Sequence, residues 1–362
     1  MNQPVEFPLT RIDTGTGFTQ PANYPRNLWW VAALSKDVSH EKPLGLWLLD
    51  EPVVLYRKQD GSAVALDNRC PHRWAPLSEG RIDGDNIVCP YHGFKFCPEG
   101  QCVEIPSQKT IPSKAKVKAY PLQEKDGIVW IWMGDAAKAE GVPLPIDTSW
   151  LTNGKWWWVN GFSEVNANYQ LLKENVLDLT HIPHVHPTTI GASDWTNPPK
   201  VEVTDSTVTF RQEFAAAPLP AIYGIPTGLG MQTPAERTNW STSYTPAAHV
   251  GFLEIRHPNP KPGERDKWTL QIMHLTTPES PTRFRYTWFM GWDTELSPEY
   301  LEGMRQHVPK GYAEDKFILE KVQEMILRDP RHLDYPEIIV QADQAAIQSR
   351  RKLEASLKKE QE

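Results

Sequence analysis

The strings Cys70-Pro71-His72 and Cys89-Pro90-Tyr91-His92 determine most of what this sequence predicts. They form a C-x-H motif and a C-x-x-H motif, separated by sixteen residues. Each motif pairs one thiol with one imidazole, so two short loops would together offer four ligands to a metal centre. The sequence therefore predicts a metal site held between two loops.

Two kinds of centre use two thiolates and two imidazoles. A Rieske [2Fe–2S] cluster binds one iron through two Cys and the other through two His, whereas structural zinc takes all four ligands tetrahedrally. The Rieske cluster is favoured because each loop supplies one Cys and one His, and because the loops continue as CPHRWAPLSEG and CPYHGF. Neutral imidazoles raise the reduction potential, so the cluster is expected to accept electrons from a reductase.

A second group of candidate ligands follows about ninety residues later. The stretch KENVLDLTH, residues 173–181, predicts a helix that Pro183 interrupts, and His181, His184 and His186 fall within six residues. A lone His would more often be a capping residue in a polar loop, but this density favours a metal site. Two His and one carboxylate with open positions form the facial triad of non-haem Fe(II) enzymes that activate O2.

Together the motifs resemble the oxygenase (alpha) component of Rieske non-haem iron oxygenases, in the branch of vanillate O-demethylase and dicamba monooxygenase. Further matching segments are NLWWVAA at 27–33, EKPLG, VWIWMGD, NVLDLTHIPHVH and ADQAAIQ, so the resemblance covers nearly the whole chain. Two departures are Phe94, where many members have Trp, and Trp74, where a smaller residue is common.

The resemblance implies a terminal oxygenase that uses O2 and reductase-supplied electrons to oxidise an aromatic, carboxylated substrate, with O-demethylation favoured. Hydroxylation of a ring or methyl group, or dioxygenation, is the alternative within the family. An electron-transfer Rieske protein is disfavoured, since those proteins add a second Cys to each cluster loop and these loops carry only Cys70 and Cys89.

The order of elements predicts an α+β fold with two domains. Short alternating strands with Gly and Pro between them indicate a small all-β Rieske domain at 27–133, after an arm at 1–26. A linker at 134–150 and a catalytic domain at 151–362 follow, with long antiparallel strands and two closing helices at about 297–328 and 337–360. The resemblance implies a helix-grip sheet for the catalytic domain.

The third ligand of the mononuclear iron could come from several C-terminal acids. Asp329 and Asp334 are expected in a loop. Asp315 is expected to begin a helix, where a carboxylate interacts favourably with the helix dipole. Asp343 shares a predicted helix face with apolar residues, where an unpaired carboxylate is costly. The iron is therefore assigned to His181, His186 and Asp343, with His184 as the rival of His186.

Asp178 and Asn175 are the candidate catalytic residues on the same helix. Asp178 precedes His181 by one turn, so its carboxylate is expected to accept the imidazole N–H and fix the tautomer. The resemblance implies that this Asp also reaches the Rieske ligand His92 of the partner subunit across a head-to-tail interface, and hence that the assembly is a homotrimer.

The substrate pocket is expected within residues 200–300. Asn239 and His274 are the candidate polar anchors, although His274 could equally be a hydrogen-bonded sheet residue. The candidate walls are Trp240, Phe252, Ile255 and Trp288.

Composition excludes several classes of protein. A net charge of −7 gives no basic footprint for nucleic acid. No apolar run approaches the roughly 20 residues that span a bilayer, and the N-terminus lacks the features of a signal peptide. A cytoplasmic location is therefore expected, with Cys97 and Cys102 as free thiols.

No G-x-G-x-x-G lies between a predicted strand and helix, so NAD(P)H is expected to act only through a separate reductase, directly or through a ferredoxin. A candidate docking patch lies near the cluster loops and consists of Arg69, Arg73, Arg81 and Lys95.

Overall fold

The computed structural model describes residues 24–189, 199–244, 247–329, 331 and 337–361. The chain divides into two compact units: Pro25–Leu144 with Thr277–Ser280, and a second unit that includes Pro145–Thr276 and the chain from Pro281. The division falls inside the expected linker. Residues 1–23 of the expected N-terminal arm lie outside the described residues.

The N-terminal unit is built of three small antiparallel sheets, with strand orders β1-β10-β9, β2-β3-β4 and β5-β6-β7-β8. Its strands are β1 (Trp29–Leu34), β2 (Leu44–Leu48), β3 (Glu51–Arg57), β4 (Ala63–Asp67), β5 (Arg81–Asp83), β6 (Asn86–Val88), β7 (Lys95–Phe96), β8 (Cys102–Glu104), β9 (Leu122–Lys125) and β10 (Ile128–Trp132). Cys70 and Cys89 belong to its apolar core, beside Leu66, Leu77 and Phe96. The two candidate sulfur ligands therefore lie in the core of this unit, and its all-β architecture is the one that the sequence predicts.

The second unit is built around one seven-stranded antiparallel sheet with the order β11-β17-β16-β15-β14-β13-β12. Its strands are β11 (Trp157–Val165), β12 (Lys200–Val203), β13 (Thr207–Pro218), β14 (Pro234–Tyr244), β15 (Ala248–Arg256), β16 (Lys267–Ser280) and β17 (Arg283–Trp292). Its helices are α1 (Tyr169–Leu177), α2 (Ile182–Val185), α3 (Ala221–Thr227), α4 (Pro298–Arg328) and α5 (Gln344–Gln361). Helix α1 packs on β14 and on α4, and α2 also packs on α4. The α+β class is confirmed.

One segment that the sequence predicts as a single strand forms a β-hairpin in the structure. The run 201–214 folds as β12 and β13, which pair in antiparallel register from Lys200↔Arg211 to Val203↔Val208. Thr204 closes the turn, because its hydroxyl accepts the backbone N–H groups of Ser206 and Thr207. Short polar side chains of this kind compete with the sheet for backbone hydrogen bonds.

The last helix begins later than the sequence predicts. Helix α5 begins at Gln344, after a 3-10 turn at Gln341–Asp343. Ile339 and Val340, which the helical pattern placed on an apolar face, are exposed and precede the helix.

Candidate metal centres and active site

The two Cys–His loops of the N-terminal unit repeat one backbone pattern. The N–H of Cys70 donates to the carbonyl of Ala75, and the N–H of Trp74 donates back to the carbonyl of Cys70, both at 2.9 Å. In the second loop the N–H of Cys89 donates to Phe94 at 2.8 Å, and that of Gly93 donates to Cys89 at 3.2 Å. Each Cys is thus fixed at the start of an equivalent tight turn, so that two similar loops present their ligands together.

The two imidazoles of these loops lie side by side, and the two thiols are also neighbours. The rings of His72 and His92 have centroids 4.4 Å apart, and both side chains are exposed. Burial, together with the neighbouring Cys89 thiol, raises the pKa of Cys70 to about 11. Buried thiols of this kind ionise only when a metal compensates the charge. Two buried sulfurs and two exposed imidazoles fit a Rieske cluster with its histidines toward the surface.

Trp74 and Phe94, the two departures from the family pattern, both contact side chains of the cluster loops. Trp74 takes a positive φ of 63°, where Gly93 of the other loop has 72°. A non-glycine residue there is uncommon and carries backbone strain. Its ring is 72% exposed and lies under the guanidinium of Arg69 at 4.7 Å. Phe94 stacks on His72 at 4.9 Å, so an aromatic ring still supports that imidazole.

A second candidate centre lies in the catalytic unit. Ligand atoms of His181, His186 and Asp315 all lie within 4.8 Å of one another. Oδ1 of Asp315 is 3.1 Å from Nε2 of His186 and 3.5 Å from Nε2 of His181. Both imidazoles therefore direct Nε2 toward one carboxylate oxygen, which is the donor set of a two-histidine, one-carboxylate iron site.

Three helical segments bring these residues together. Asp178 ends α1 and caps the following 3-10 turn that carries His181. Helix α2 has Pro183 in its first turn, where proline is tolerated, and it ends at His186. Asp315 lies in the middle of α4, on the buried face that also carries Gly311 and Leu319.

Hydrogen bonds fix the orientation of each candidate ligand. Nδ1 of His181 is 2.7 Å from the backbone carbonyl of Asp178, and Nδ1 of His186 is 2.8 Å from Oε2 of Glu314. Such partners hold a metal-binding imidazole in one tautomer. Asn175 donates to Oδ1 of Asp315 at 3.1 Å. All three side chains thus have a supporting contact.

The protonation preferences of the two imidazoles differ. Burial lowers the pKa of His181, although Asp315 opposes this effect. Burial would also lower the pKa of His186, but the carboxylates of Asp315 and Glu314 outweigh it and raise the pKa. The two carboxylates beside His186 thus favour a positive charge at this position.

The prediction that Asp343 is the third ligand is wrong, because the structure does not bring Asp343 to His181 and His186. Asp343 lies in the turn before α5, and its Oδ2 accepts the backbone N–H of Val340 at 2.7 Å. It is a capping residue, because the helix begins after it rather than around it. Asp315 takes the role that the sequence assigned to Asp343. Asp315 lies in the interior of the long helix α4, and not at a helix start as the sequence predicted.

Two further expectations near the iron site differ from the structure. The carboxylate of Asp178 does not accept the His181 N–H; the backbone carbonyl of Asp178 does, while its Oδ1 accepts from the N–H and hydroxyl of Thr180. His184 is exposed and is not part of the cluster. The structure therefore brings His186, and not its rival, to His181.

A cavity of about 250 Å³ lies beside this cluster. His181, His186 and Asp315 line it on the helical side, and residues of β14, β15 and β16 line it on the sheet side. The apolar lining consists of Val176, Leu179, Ile182, Ile222, Leu253, Leu270, Ile272, Met290 and Val308. Such a cavity suits a single substituted aromatic ring held next to a metal.

The expected pocket residues separate into two groups. Asn239, His274, Trp240 and Phe252 line the cavity, but Ile255 and Trp288 are not among the described residues that do so. Ile255 is fully buried further along β15. Strand alternation directs the stacked rings of Trp240 and Phe252 to the opposite face from Asn239.

His274 is the anchor with the better defined chemistry. Its Nδ1 is 2.6 Å from the hydroxyl of Tyr286. Burial lowers the pKa of His274 to about 4, so the ring is neutral near pH 7. Burial also raises the pKa of Tyr286 well above its usual value, which keeps the phenol protonated. A phenol O–H that donates to Nδ1 would leave Nε2–H as a neutral donor for a substrate oxygen.

Family comparison agrees with both centres. The Rieske [2Fe–2S] domain family matches residues 28–121, and the vanillate O-demethylase oxygenase C-terminal domain family matches residues 165–359. The chain belongs to the vanillate O-demethylase-type Rieske oxygenases. It is thus an oxidoreductase and the oxygenase component of a system in which a reductase or ferredoxin supplies electrons, and its cofactors are a Rieske cluster and mononuclear iron.

Individual relatives of this Rieske oxygenase span nearly its full length. It is 35% identical to the toluene-4-sulfonate monooxygenase system iron-sulfur subunit of Comamonas testosteroni, over 92% of this chain and 97% of that protein. It is 31% identical to a vanillate O-demethylase oxygenase subunit of a Pseudomonas species, over 94% and 96%. The crystal structure of dicamba monooxygenase with 3,6-dichlorosalicylic acid matches with a TM-score of 0.84 and 28% identity, over 94% and 99%.

Asp315 and Glu314 are the residues of this oxygenase that sequence reasoning missed. The criterion applied to Asp343, a carboxylate on the buried face of a helix, fits Asp315 better once α4 is known to span 298–328. Glu314 gave no signal of its own, since an acid beside another acid on a helix is ordinary.

Replacing Asp315 with Ala should abolish iron binding at the mononuclear site, because the two histidines then lack the carboxylate that completes the site. The visible spectrum of the Rieske cluster should not change. Asp343→Ala is the matched variant: it should keep its iron and lose about 1 kcal/mol through the missing cap. Iron content and thermal unfolding measure both, and loss of iron from the Asp343 variant alone would reverse the assignment.

Replacing Glu314 with Gln should weaken iron binding about 10- to 100-fold, because the imidazole of His186 loses its charged partner. Glu302→Gln, on an exposed turn of the same helix, is the control and should bind iron normally. Competition with a chelator gives the affinities. Equal affinities in the two variants would show that Glu314 does not support the site.

Proposed function

We propose that this chain is the terminal oxygenase of a monooxygenase system that O-demethylates a methoxylated aromatic acid. One observation carries the proposal: the apolar cavity has the His181, His186 and Asp315 cluster on one side and the neutral donors Asn239 and His274 on the other. An aromatic ring with one oxygen-bearing substituent hydrogen-bonded to Asn239 and His274 would have another substituent next to the metal.

We propose Cys70, His72, Cys89 and His92 as the cluster ligands, and His181, His186 and Asp315 as the iron ligands. When bound, these centres supply the electron and the activation of O2. Asn175 holds the orientation of Asp315, and the apolar walls exclude water from the reacting carbon. Hydroxylation of a methoxy carbon gives a hemiacetal, which collapses to a phenol and formaldehyde; the reaction consumes O2, two electrons and two protons and releases water.

Hydroxylation of a ring methyl group is the second candidate. The relative with 35% identity is named for toluene-4-sulfonate, whose ring carries a methyl group and no methoxy group. Both reactions begin with oxidation of a C–H bond of a methyl group, which is attached to the ring directly in one case and through an oxygen atom in the other, so the same cavity serves either.

The electron is proposed to pass between subunits of a homotrimer. Asp178 supports this role, because Oδ1 of its carboxylate is used by Thr180 while Oδ2 has no hydrogen bond from the described residues. That oxygen is available to His92 of the partner subunit, and the backbone carbonyl of Asp178 already contacts His181. The surface position of His72 and His92 suits such a contact.

The proposed ferredoxin-docking patch contains fewer basic residues than the sequence suggested. Lys95 is neutralised by Asp83 and Glu104, and Arg69 pairs with Asp67 while it stacks on Trp74. Arg73 and Arg81 are exposed. We therefore propose that these two arginines, with the exposed ring of Trp74, form the contact. A cytoplasmic location is proposed as well, since Cys97 and Cys102, which are not assigned to the cluster, are free thiols.

A single turnover tests the reaction. The iron-loaded protein is reduced without air, mixed with 4-methoxybenzoate, vanillate, toluene-4-sulfonate or benzoate, and exposed to O2. Formaldehyde and a phenol are expected from the methoxylated acids. An alcohol from toluene-4-sulfonate alone would favour methyl hydroxylation, and no product from any acid in protein with both centres intact would contradict the proposed substrate class.

Asp178→Asn tests the route of the electron. Asn is as good a helix cap as Asp, so iron, cluster and oligomeric state should be retained, while turnover should fall by orders of magnitude because the charged link between imidazoles is lost. Iron content, the cluster spectrum, sedimentation and the rate of cluster oxidation after O2 addition measure these properties. A wild-type rate in this variant would remove Asp178 from the route.

A further inference from the structure

A buried polar group lies directly behind the sheet wall of the cavity. Ser241 on β14 lines the cavity, and its hydroxyl is hydrogen-bonded to Nε2 of His249 on β15. His249 is almost completely buried and does not itself line the cavity. Its cross-strand neighbours are Ser243 and His274, so it occupies the next row on the same face of the sheet.

A buried lysine acts electrostatically on His249. Lys173 on α1 is 2% exposed, and α1 packs on β14. The positive charge of Lys173 is one of the causes, after burial and His274, that lower the pKa of His249 well below its usual value. The hydroxyl of Ser241 thus connects the cavity to a neutral imidazole, and the amine of Lys173 acts electrostatically on that imidazole.

Among the described residues, neither Nζ of Lys173 nor Nδ1 of His249 has a hydrogen-bond partner. No ion pair links Lys173 to a described carboxylate, and the adjacent Glu174 is occupied by Arg350. A buried ammonium without a counter-charge is costly. In accordance with this, burial lowers the pKa of Lys173 to about 7, so its charge near neutrality depends on what else is present.

The direction of the hydrogen bonds suits an anion in the cavity. Lys173 can donate to Nδ1 of His249 through a bridging water, Nε2–H of His249 then donates to Ser241, and the hydroxyl of Ser241 donates into the cavity. Every donor in this order points toward the substrate. The described residues that line the cavity include neither Lys nor Arg, so an anionic ring substituent finds its positive charge through this chain of donors.

We propose that Lys173 is a specificity-determining residue, which through His249 and Ser241 makes the cavity prefer an aromatic substrate whose anionic group, carboxylate or sulfonate, lies against Ser241. The bound anion supplies the counter-charge that the buried ammonium lacks. This inference rests on the proposed function for the nature of the ring. It adds an amine, which becomes charged when an anion binds, to a pocket whose own lining is neutral on the sheet side.

Binding without O2 tests the proposal on the full chain loaded with iron and cluster. The probes are 4-methoxybenzoate and its neutral analogue 4-methoxybenzamide, with toluene-4-sulfonate and its sulfonamide as a second pair. In Lys173→Met the two anions should bind roughly tenfold more weakly, whereas the amides should bind within a factor of two of wild type. Lys200→Met, on the exposed strand β12, is the control and should change neither.

A double-mutant cycle separates the relay from a structural role of Lys173. In the Ser241→Ala background the connection is already broken, so Lys173→Met should have little further effect on anion binding. Equal weakening of acids and amides, no effect on either, or a full effect in the Ser241→Ala background would each overturn the proposal. Lys173→Gln, with cluster and iron content measured, replaces the Met variant if that one does not fold.

These outcomes are distinct from those of the single turnover. Binding is measured before any oxidation, so a charge preference does not depend on whether the product is a phenol or an alcohol. A wild-type protein that binds acid and amide equally would overturn the role of Lys173 while leaving oxygenase activity intact. Conversely, anion preference without any product would contradict the proposed reaction alone.

Discussion

The carboxylate of Asp315 is the interaction on which the active-site architecture depends. It lies inside a 31-residue helix and meets both imidazoles, His181 and His186, as well as the amide of Asn175. A buried carboxylate needs compensating partners, and here those partners come from α1, α2 and the turn between them. The same contacts that prepare a metal site also pack these segments against α4, so local stability and ligand placement have a common origin.

The Rieske unit solves a similar problem by repetition. Two loops with the same pair of backbone hydrogen bonds each fix one Cys in the core and leave one His at the surface. The sulfurs then have a dry, rigid environment while the imidazoles can contact another protein. Trp74 keeps this turn geometry at the cost of a positive φ, and its exposed ring with Arg69 changes the surface next to His72 rather than the cluster loops themselves.

The sheet is the side of the cavity to which we assign the choice of substrate. Its wall offers neutral polar groups, and we propose that the buried Lys173 acts on the cavity through His249 and Ser241. A charge in this position acts on a ligand without making a solvent-exposed ion pair, which would be worth little. Binding preference and catalysis are thereby divided between two sides of one cavity: strands for the ring substituent, helices for the metal.

The sequence by itself determined the cluster motifs, the pair His181 and His186 as candidates, the α+β class and most strand positions, because these depend on short spacings and on alternation that neighbouring residues carry. It did not determine the third iron ligand. Asp315 and Asp343 are both acids near helices, and only the point where α5 begins and the face that α4 buries distinguish a ligand from a cap. The failure of Ile255 and Trp288 to reach the cavity likewise depends on sheet register and helix packing. These are contacts between residues far apart in the chain, and no local pattern of the sequence specifies which of them meet.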